Sequence, residues 1–275
     1  MLKQISLLIL CAVAIVLFTA PVQACTSAVV SGKVTPDGRP LLWKNRDTDF
    51  MRNHIDYVKG EKYNFIAVVN SANAYLKEAW MGTNSSGFAL MNTQSYNLVD
   101  VKGDEERGAA NGRVIYRALE VCATVEDFCH FLDTISKPSD IEANFGVIDA
   151  QGGAAMFEVD YHKYVMYDAN NPKDAPYGYI VRTNFSFAGK VNEGAGYVRY
   201  MEADQVLMKA SATGSITPQF IFNDLSRSFR NRMLDIDLRS GAYNRPQASG
   251  WFVDQDFIPR SSTSCSVVVQ GVKPG

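Results

Sequence analysis

The order of apolar and polar residues near the start of the chain predicts β-strands. Residues 26–32 and 41–46 are strand-like, and the Thr-Pro-Asp-Gly sequence at residues 35–38 has Pro and Gly where a turn needs them. Three further strand segments follow at residues 65–70, 79–83 and 87–93. The first part of the chain is therefore predicted to be a β-hairpin followed by three more strands.

A loop and two helices come next. Residues 94–112 are charged, contain glycine and have no hydrophobic period, which is typical of a mobile loop beside a functional site. Thr124 and Asp127 form the capping-box pattern that opens the second helix. The apolar face of the first helix is Val114, Ile115, Ala118, Leu119 and Cys122. The apolar face of the second helix is Val125, Phe128, Cys129 and Leu132.

The second half of the chain repeats the order of strands and then helices. A strand-rich segment covers residues 144–184, Thr217-Pro218 opens a later helix, and residues 264–270 form a final strand. Another helix has Ala203, Val206, Leu207 and Ala210 at helical spacing. Blocks of strands separated by blocks of helices predict an α+β domain with antiparallel sheets. No repeat or linker-like segment divides the chain, so we expect one domain.

The N-terminal segment is predicted to be a signal peptide covering residues 1–24. Lys3 precedes an apolar run of 14 residues at 5–18, and the small-residue stop is Val22-Gln23-Ala24. A membrane-spanning helix needs about 20 residues, so we expect no stable membrane span. The remaining domain is residues 25–275, exported to a periplasmic or extracellular space.

Composition and charge exclude several classes of protein. The formal net charge is −2 and no block of like charges occurs, so neither nucleic acid nor an acidic lipid surface is an expected partner. The chain has three widely separated histidines and no Cys-x-x-Cys pair, so we expect no metal site. Cys122 and Cys129 lie on apolar helix faces and are interpreted as buried free thiols, with a disulfide between them as the alternative.

Cys25 is the main candidate for chemistry, because signal cleavage after Ala24 would place a thiol and an α-amine on one residue. The pKa of an α-amine is about 7.7–8 and that of a thiol about 8.5, so the amine can act as base for its own thiol. The alternative is lipidation, since Val22-Gln23-Ala24-Cys25 partly matches a bacterial lipobox. That alternative predicts a lipid-anchored, non-catalytic surface binding protein.

Several motifs after Cys25 resemble one superfamily. Cys25-Thr26 is followed by a hairpin whose second strand ends in Lys44-Asn45-Arg46-Asp47. This arrangement resembles the choloylglycine hydrolase and penicillin V acylase superfamily of N-terminal-nucleophile (Ntn) hydrolases. It is most similar to the branch that contains acyl-coenzyme A:6-aminopenicillanic acid acyltransferase and linear amide hydrolases. Later segments that fit, in the same order, are residues 82–92, 144–150, 182–185 and Arg199-Tyr200.

The resemblance implies a four-layer αββα sandwich and a role for each matching residue. Cys25 would be the nucleophile, Asp47 would hold the α-amine, and Asn92 and Asn184 would help form the oxyanion hole. Arg199 would place a fixed positive charge near the thiol. The implied substrate is a small N-acyl amide, cleaved at a non-peptide C–N bond through an acyl-thioester and without a cofactor. Acyl transfer to another amine is the alternative outcome of the same acyl-enzyme.

Two features of the sequence depart from the pattern of this superfamily. The cation that the bile-salt hydrolases supply as arginine is Lys44 here, with Arg46 two residues later, and either could serve. Because Lys44 and Arg46 would share a strand face that Asp47 does not, the strand is expected to end or bulge near Arg46. The chain also stops soon after its last predicted strand, where relatives usually continue, so it is either a fragment that lacks the last sheet strands or a short member that closes its sheet differently.

The sequence constrains the substrate and the assembly weakly. Tyr57, Trp80 and Tyr96 could line an acyl pocket or belong to the core. A Gly-x-Ser-x-Gly motif is absent, which argues against a serine hydrolase of that class. Homo-oligomer formation stays open.

Overall fold

The computed structural model describes residues 24–99, 108–240 and 256–273. The predicted signal segment before Ala24 and residues 100–107 of the predicted loop lie outside the described residues. The strands are β1 (Thr26–Val30), β2 (Leu41–Asp47), β3 (Asn53–Val58), β4 (Phe65–Asn70), β5 (Met81–Asn84), β6 (Ala89–Gln94), β7 (Ala143–Ile148), β8 (Ala154–Val159), β9 (Tyr164–Asp168), β10 (Tyr179–Arg182), β11 (Arg230–Asn231), β12 (Ile236–Asp237) and β13 (Thr263–Gln270).

In the described part of the chain, α-helical segments accompany these strands. They are α1 (Asn111–Val121), α2 (Val125–Thr134), α3 (Tyr197–Ala212) and the short α4 (Pro218–Phe220), which continues as the π-helical turn Ile221–Leu225. The predicted capping box of α2 is confirmed, because the Thr124 side chain accepts from the Asp127 amide and the Asp127 carboxylate accepts from the Thr124 amide. Within the described residues, no helix combines the length and the hydrophobicity that a membrane span requires.

Two antiparallel sheets form the centre of the molecule. The smaller sheet has the order β10-β1-β2-β13, and the larger one runs in sequence order from β3 to β9. The predicted hairpin is confirmed, since β1 and β2 pair antiparallel from Thr26–Asn45 to Val30–Leu41. In its turn Gly38 has φ +77°, a conformation that glycine adopts without steric cost.

Three apolar clusters show how the layers stack. Helices α1 and α2 cover the outer face of the larger sheet, with Phe128 of α2 packed among Phe145 and Phe157. Helix α3 and the Ile221–Leu225 turn cover the outer face of the smaller sheet around Trp43. A third cluster lies between the two sheets. The predicted α+β, four-layer αββα sandwich is therefore confirmed.

Strand alternation gives β2 two chemically different faces. Leu42 belongs to the cluster between the sheets, whereas Leu41 and Trp43 belong to the cluster under α3. Because side chains alternate along a strand, Lys44 and Arg46 face the space between the sheets and Asp47 faces the α3 layer.

Some boundaries differ from the sequence-based expectation. The irregularity expected near Arg46 is present, because β2 ends one residue later, at Asp47, and its pairing with β13 shifts register between Thr263 and Cys265, opposite this point. The strand expected at 79–83 is shifted to Met81–Asn84, and α1 begins at Asn111, inside the expected loop. The strand β3 was not predicted, because its residues are half-buried or exposed and carry no clear alternation.

Candidate active site

Cys25 lies immediately before β1, at the end of the sandwich where β2, β6 and β10 also end. Its side chain is 7% exposed and the preceding residue, Ala24, is fully buried. The register that pairs Thr26 with Asn45 places Cys25 beside Arg46, one residue further along. The site is thus assembled from strand ends of both sheets.

Hydrogen bonds hold the main chain of Cys25 on both sides. Its nitrogen donates to Asn184 Oδ1 at 3.0 Å, and Arg199 Nη1 donates to its carbonyl oxygen. Arg199 Nη2 also donates to Asn184 Oδ1 at 2.8 Å. Arg199 is in the first turn of α3, and its Nε donates to Asp256 Oδ1 at 2.8 Å, which completes an ion pair. The Arg199 guanidinium therefore fixes the backbone of Cys25. None of the described contacts of Arg199 is with the Cys25 thiol.

The amide of Asn184 is fixed at both ends. Asn184 follows β10 and forms an isolated bridge with Ala195. Its Nδ2 donates to the Gln94 carbonyl at 2.9 Å, so its oxygen is the end that faces Cys25. Because Arg199 can only donate, it sets this orientation of the amide. Asn184 thus accepts from the Cys25 nitrogen, and Nδ2, the donor expected at an oxyanion, is bonded to Gln94.

Asp47 presents a buried carboxylate oxygen that has no donor among the described residues. Thr263 Oγ1 donates to Oδ1 at 2.6 Å, while Oδ2 is buried and unpartnered. Burial raises the pKa of Asp47 to about 6, an effect that the Thr263 hydrogen bond and the positive charge of Arg199 oppose. The Asp47 carbonyl lies 3.8 Å from the Cys25 sulfur. A cationic nitrogen would complete the contacts of Oδ2.

Lys44 and Asn92 contact each other across the space between the sheets. Lys44 Nζ donates to Asn92 Oδ1 at 2.9 Å and to the Trp80 carbonyl at 3.1 Å. The pKa of Lys44 is lowered to about 8, chiefly by burial and in part by the Arg46 charge, while Cys25 opposes the lowering. Since an ammonium only donates, Lys44 fixes the oxygen end of the Asn92 amide and turns its Nδ2 the other way.

Arg46 lies next to Lys44 on the same face of β2. Its Nη2 donates to Asn70 Oδ1 at 2.7 Å, and its guanidinium carbon is 5.1 Å from the centroid of the Trp80 ring. Arg46 Nη1 and Trp80 Nε1 are both buried without an acceptor among the described residues. Burial lowers the pKa of Arg46.

The structure brings all of the expected site residues to one end of the sandwich, namely Cys25, Lys44, Arg46, Asp47, Asn92, Asn184 and Arg199. Sequence reasoning missed Asn70 and Thr263, which position Arg46 and Asp47 from distant parts of the chain. Trp80 belongs to the site, whereas Tyr57 is 59% exposed on β3 and belongs neither to the site nor to the core.

Cys265 of β13 lies opposite Arg46 in the smaller sheet and adjoins the site, whereas Cys122 and Cys129 belong to the helix layer on the larger sheet. Cys122 and Cys129 are free thiols, as expected, although Cys129 is half-buried and only Cys122 is fully buried. Within the described part of the chain, no group of three or more His, Cys, Asp or Glu side chains is placed to hold a metal ion.

The chain is similar to a known protein family in sequence and to several solved structures in fold. The family model of acyl-coenzyme A:6-aminopenicillanic acid acyl-transferase matches residues 34–212. No curated protein matches the sequence. One similar solved structure is the Caenorhabditis elegans ortholog of N-acylethanolamine-hydrolyzing acid amidase, which is 16% identical in sequence. The match covers 73% of this chain and 89% of that chain, with a TM-score of 0.48. A mutant of conjugated bile acid hydrolase from Clostridium perfringens has 15% identity, coverage of 73% and 74%, and a TM-score of 0.45.

Proposed function

Because the chain belongs to the acyl-coenzyme A:6-aminopenicillanic acid acyl-transferase family of Ntn enzymes, we propose that it hydrolyses linear, non-peptide amide bonds with Cys25 as its N-terminal nucleophile. The active form begins at Cys25 after removal of residues 1–24 by a signal peptidase and acts in the periplasm or outside the cell. Its substrate is a small N-acyl amide. The chemistry needs no cofactor.

One observation carries this proposal, namely the fixed position of the Cys25 nitrogen. That nitrogen donates to Asn184 Oδ1, which Arg199 also holds. Cleavage before Cys25 would convert it from a peptide nitrogen into an α-amine without moving it from its acceptor. The unpartnered Asp47 Oδ2 supplies the charge that an α-ammonium needs in a buried site.

The reaction proceeds in two halves. The α-amine takes the thiol proton, and the Cys25 sulfur attacks the amide carbon to give a tetrahedral oxyanion. The α-ammonium then protonates the leaving nitrogen, the C–N bond breaks, and an acyl-thioester and a free amine result. In the second half water gives a proton to the α-amine and attacks the thioester, which releases the carboxylic acid and restores the thiol.

The side-chain amides at the site stabilise the oxyanion in this proposal. Asn92 is oriented by Lys44 with its Nδ2 turned away from the ammonium. Asn184 donates one N–H of its Nδ2 to the Gln94 carbonyl and, in this proposal, the second to the oxyanion. One such donor is worth roughly 2.7–4 kcal/mol in the transition state. Lys44 takes the position of the family's cation, and its ammonium orients Asn92.

The test uses the thiol and its matched control. Cys25→Ser, expressed with its signal, should fold and turn over N-acyl amides at least ~100-fold more slowly, because a hydroxyl is a weaker nucleophile at its free pKa. Cys129→Ser makes the same change at a half-buried thiol in α2 and should keep wild-type kcat. Wild-type turnover by Cys25→Ser would exclude Cys25 as the nucleophile.

Mass spectrometry of the mature N-terminus separates this proposal from its alternatives. A free Cys25 amine is expected, whereas a diacylglycerol adduct on Cys25 would support the lipid-anchored binding protein. Product analysis with an added primary amine then distinguishes hydrolysis from acyl transfer, because transfer yields a new amide in place of the carboxylic acid.

A further inference from the structure

Two buried donors near Cys25 have no acceptor within the described residues. They are Nη1 of Arg46, a side chain that is 4% exposed, and Nε1 of Trp80. The guanidinium lies over the Trp80 ring, so both donors belong to one cluster. Buried donors in folded proteins are nearly always satisfied, so an acceptor that is not part of the described chain is expected here.

The positive charge of the Arg46 guanidinium also has no counter-ion among the described residues. The side-chain hydrogen bond that Arg46 makes goes to the neutral amide of Asn70, and no described carboxylate forms an ion pair with the guanidinium. In contrast, the other buried arginines Arg182 and Arg199 pair with Glu158 and Asp256. A buried cation without a counter-ion is costly, and an arriving anion removes that cost.

Arg46 is placed to act on a molecule bound at Cys25. The two residues are neighbours across β1 and β2, and both lie on the side of the small sheet that faces the larger one. Lys44, on the same face, already donates to two oxygens and is not free in this way. The same face continues as an apolar groove lined in part by Val68, Met81 and Val267.

We propose that Arg46 and Trp80 form an anion subsite that binds a carboxylate of the substrate close to the amide attacked by Cys25. This inference rests on the proposed function and adds the substrate class, an N-acyl amide that carries a carboxylate within a few bonds of the scissile C–N bond. A carboxylate offers two acceptor oxygens to these two neighbouring donors, and the planar guanidinium binds such groups in charge-assisted hydrogen bonds.

Binding is measured first, on the full chain with Cys25→Ala, so that turnover is not required. The probes are N-octanoylglycine, which has its carboxylate on the amine side, N-octylsuccinamic acid, which has it on the acyl side, and neutral N-octanoylethanolamine. Calorimetric titration should give one of the two acids at least ~10-fold tighter binding than the neutral amide, as expected for a charge-assisted hydrogen bond. The preferred acid identifies the side that carries the carboxylate.

Variants then assign the preference to its residues. Arg46→Gln should abolish it, and Trp80→Phe, which keeps a ring but removes Nε1, should reduce it several-fold. Arg39→Gln makes the same change of charge at a 44% exposed arginine and serves as the matched control. Equal binding of acids and neutral amide to the parent chain would overturn the subsite, as would a preference that survives both Arg46→Gln and Trp80→Phe.

Turnover by chains with Cys25 intact separates this inference from the proposed function. Arg46→Gln should lower kcat/KM at least ~10-fold more for the preferred acid than for the neutral amide. Loss by the same factor for both substrates would mean that Arg46 acts on the thiol and not on the substrate, and would overturn the inference. A chain that binds the acid through Arg46 yet hydrolyses none of the probes would keep the subsite and contradict the proposed hydrolase.

Discussion

Replacement of Asp47 by Asn should make the unprocessed protein more stable and the processed enzyme inactive. The Asp47 carboxylate is 1% exposed, and its Oδ2 has no donor among the described residues. Asparagine has nearly the same shape, and its oxygen can still accept from Thr263. The substitution therefore removes a buried charge and keeps the hydrogen bond from Thr263.

The magnitude follows from the pKa of Asp47. Burial raises it from 3.8 to about 6, so the folded chain holds the proton more tightly than the unfolded chain. The protonated Asp47 therefore stabilises the folded chain, by at most roughly 3 kcal/mol. This contribution is fully present below pH 3.8 and is lost as the pH rises through about 6. Asp47→Asn should be insensitive to this titration and should exceed the wild-type stability above pH 6 by up to that amount.

Urea denaturation between about pH 4 and pH 8 measures the effect in two forms of the chain. In the unprocessed chain, where the Cys25 nitrogen is a peptide nitrogen, the gain at the alkaline end should be largest. Under the proposed mechanism the α-ammonium of Cys25 in the processed chain offsets the Asp47 charge, so the gain there should be smaller, while kcat should fall at least ~100-fold because the base is no longer held.

The reasoning would be refuted by a loss of stability at the alkaline end in the unprocessed form. That result would mean that the Asp47 charge already has a structural partner. An equal gain in both forms, together with wild-type kcat in the processed variant, would show that Asp47 does not contact the α-amine.

Three further outcomes are expected. Asn184→Ala should lower kcat roughly 10²–10³-fold through loss of an oxyanion donor. It should also destabilise the fold by about 1–3 kcal/mol, because Arg199 Nη2 loses its acceptor. Unchanged kcat beside a lowered Tm would mean that Asn184 has a structural role alone. Glu158→Gln should cost roughly 3–5 kcal/mol in urea denaturation, because it leaves Arg182 buried without a counter-charge. Iodoacetamide at about pH 8 should not label native Cys122, since burial raises the pKa of its thiol to about 12; labelling seen by peptide mass spectrometry would contradict that burial.

Local patterns allowed much of the fold to be predicted. The turn at residues 35–38 and the capping box at Thr124 and Asp127 depend on a few adjacent residues, and both occur where expected. The strand at Phe65–Asn70 also matches, because it is a continuous apolar run. Strand β3 escaped prediction because tertiary position, and not a local alternation, determines which of its residues are covered.

The site could be predicted as a set of residues but not as a set of contacts. The motifs identified Asn184 and Arg199, yet their chemistry depends on which atoms meet. Arg199 contacts the carbonyl of Cys25, and Asn184 turns its oxygen to the Cys25 nitrogen. Asn70 and Thr263 lie 24 and 216 residues from their partners Arg46 and Asp47, and no sequence spacing indicates those pairs.

The alternation of β2 has an evolutionary consequence. Positions 44 and 46 point toward the space where a substrate would lie, and positions 45 and 47 point toward the layer that would hold the nucleophile's amine. One short strand thus carries two independently variable sets of side chains. Substitutions at position 46 can retarget the enzyme to a new ligand without displacing the Asp47 carboxylate, whereas insertion of a single residue would exchange the two sets of side chains.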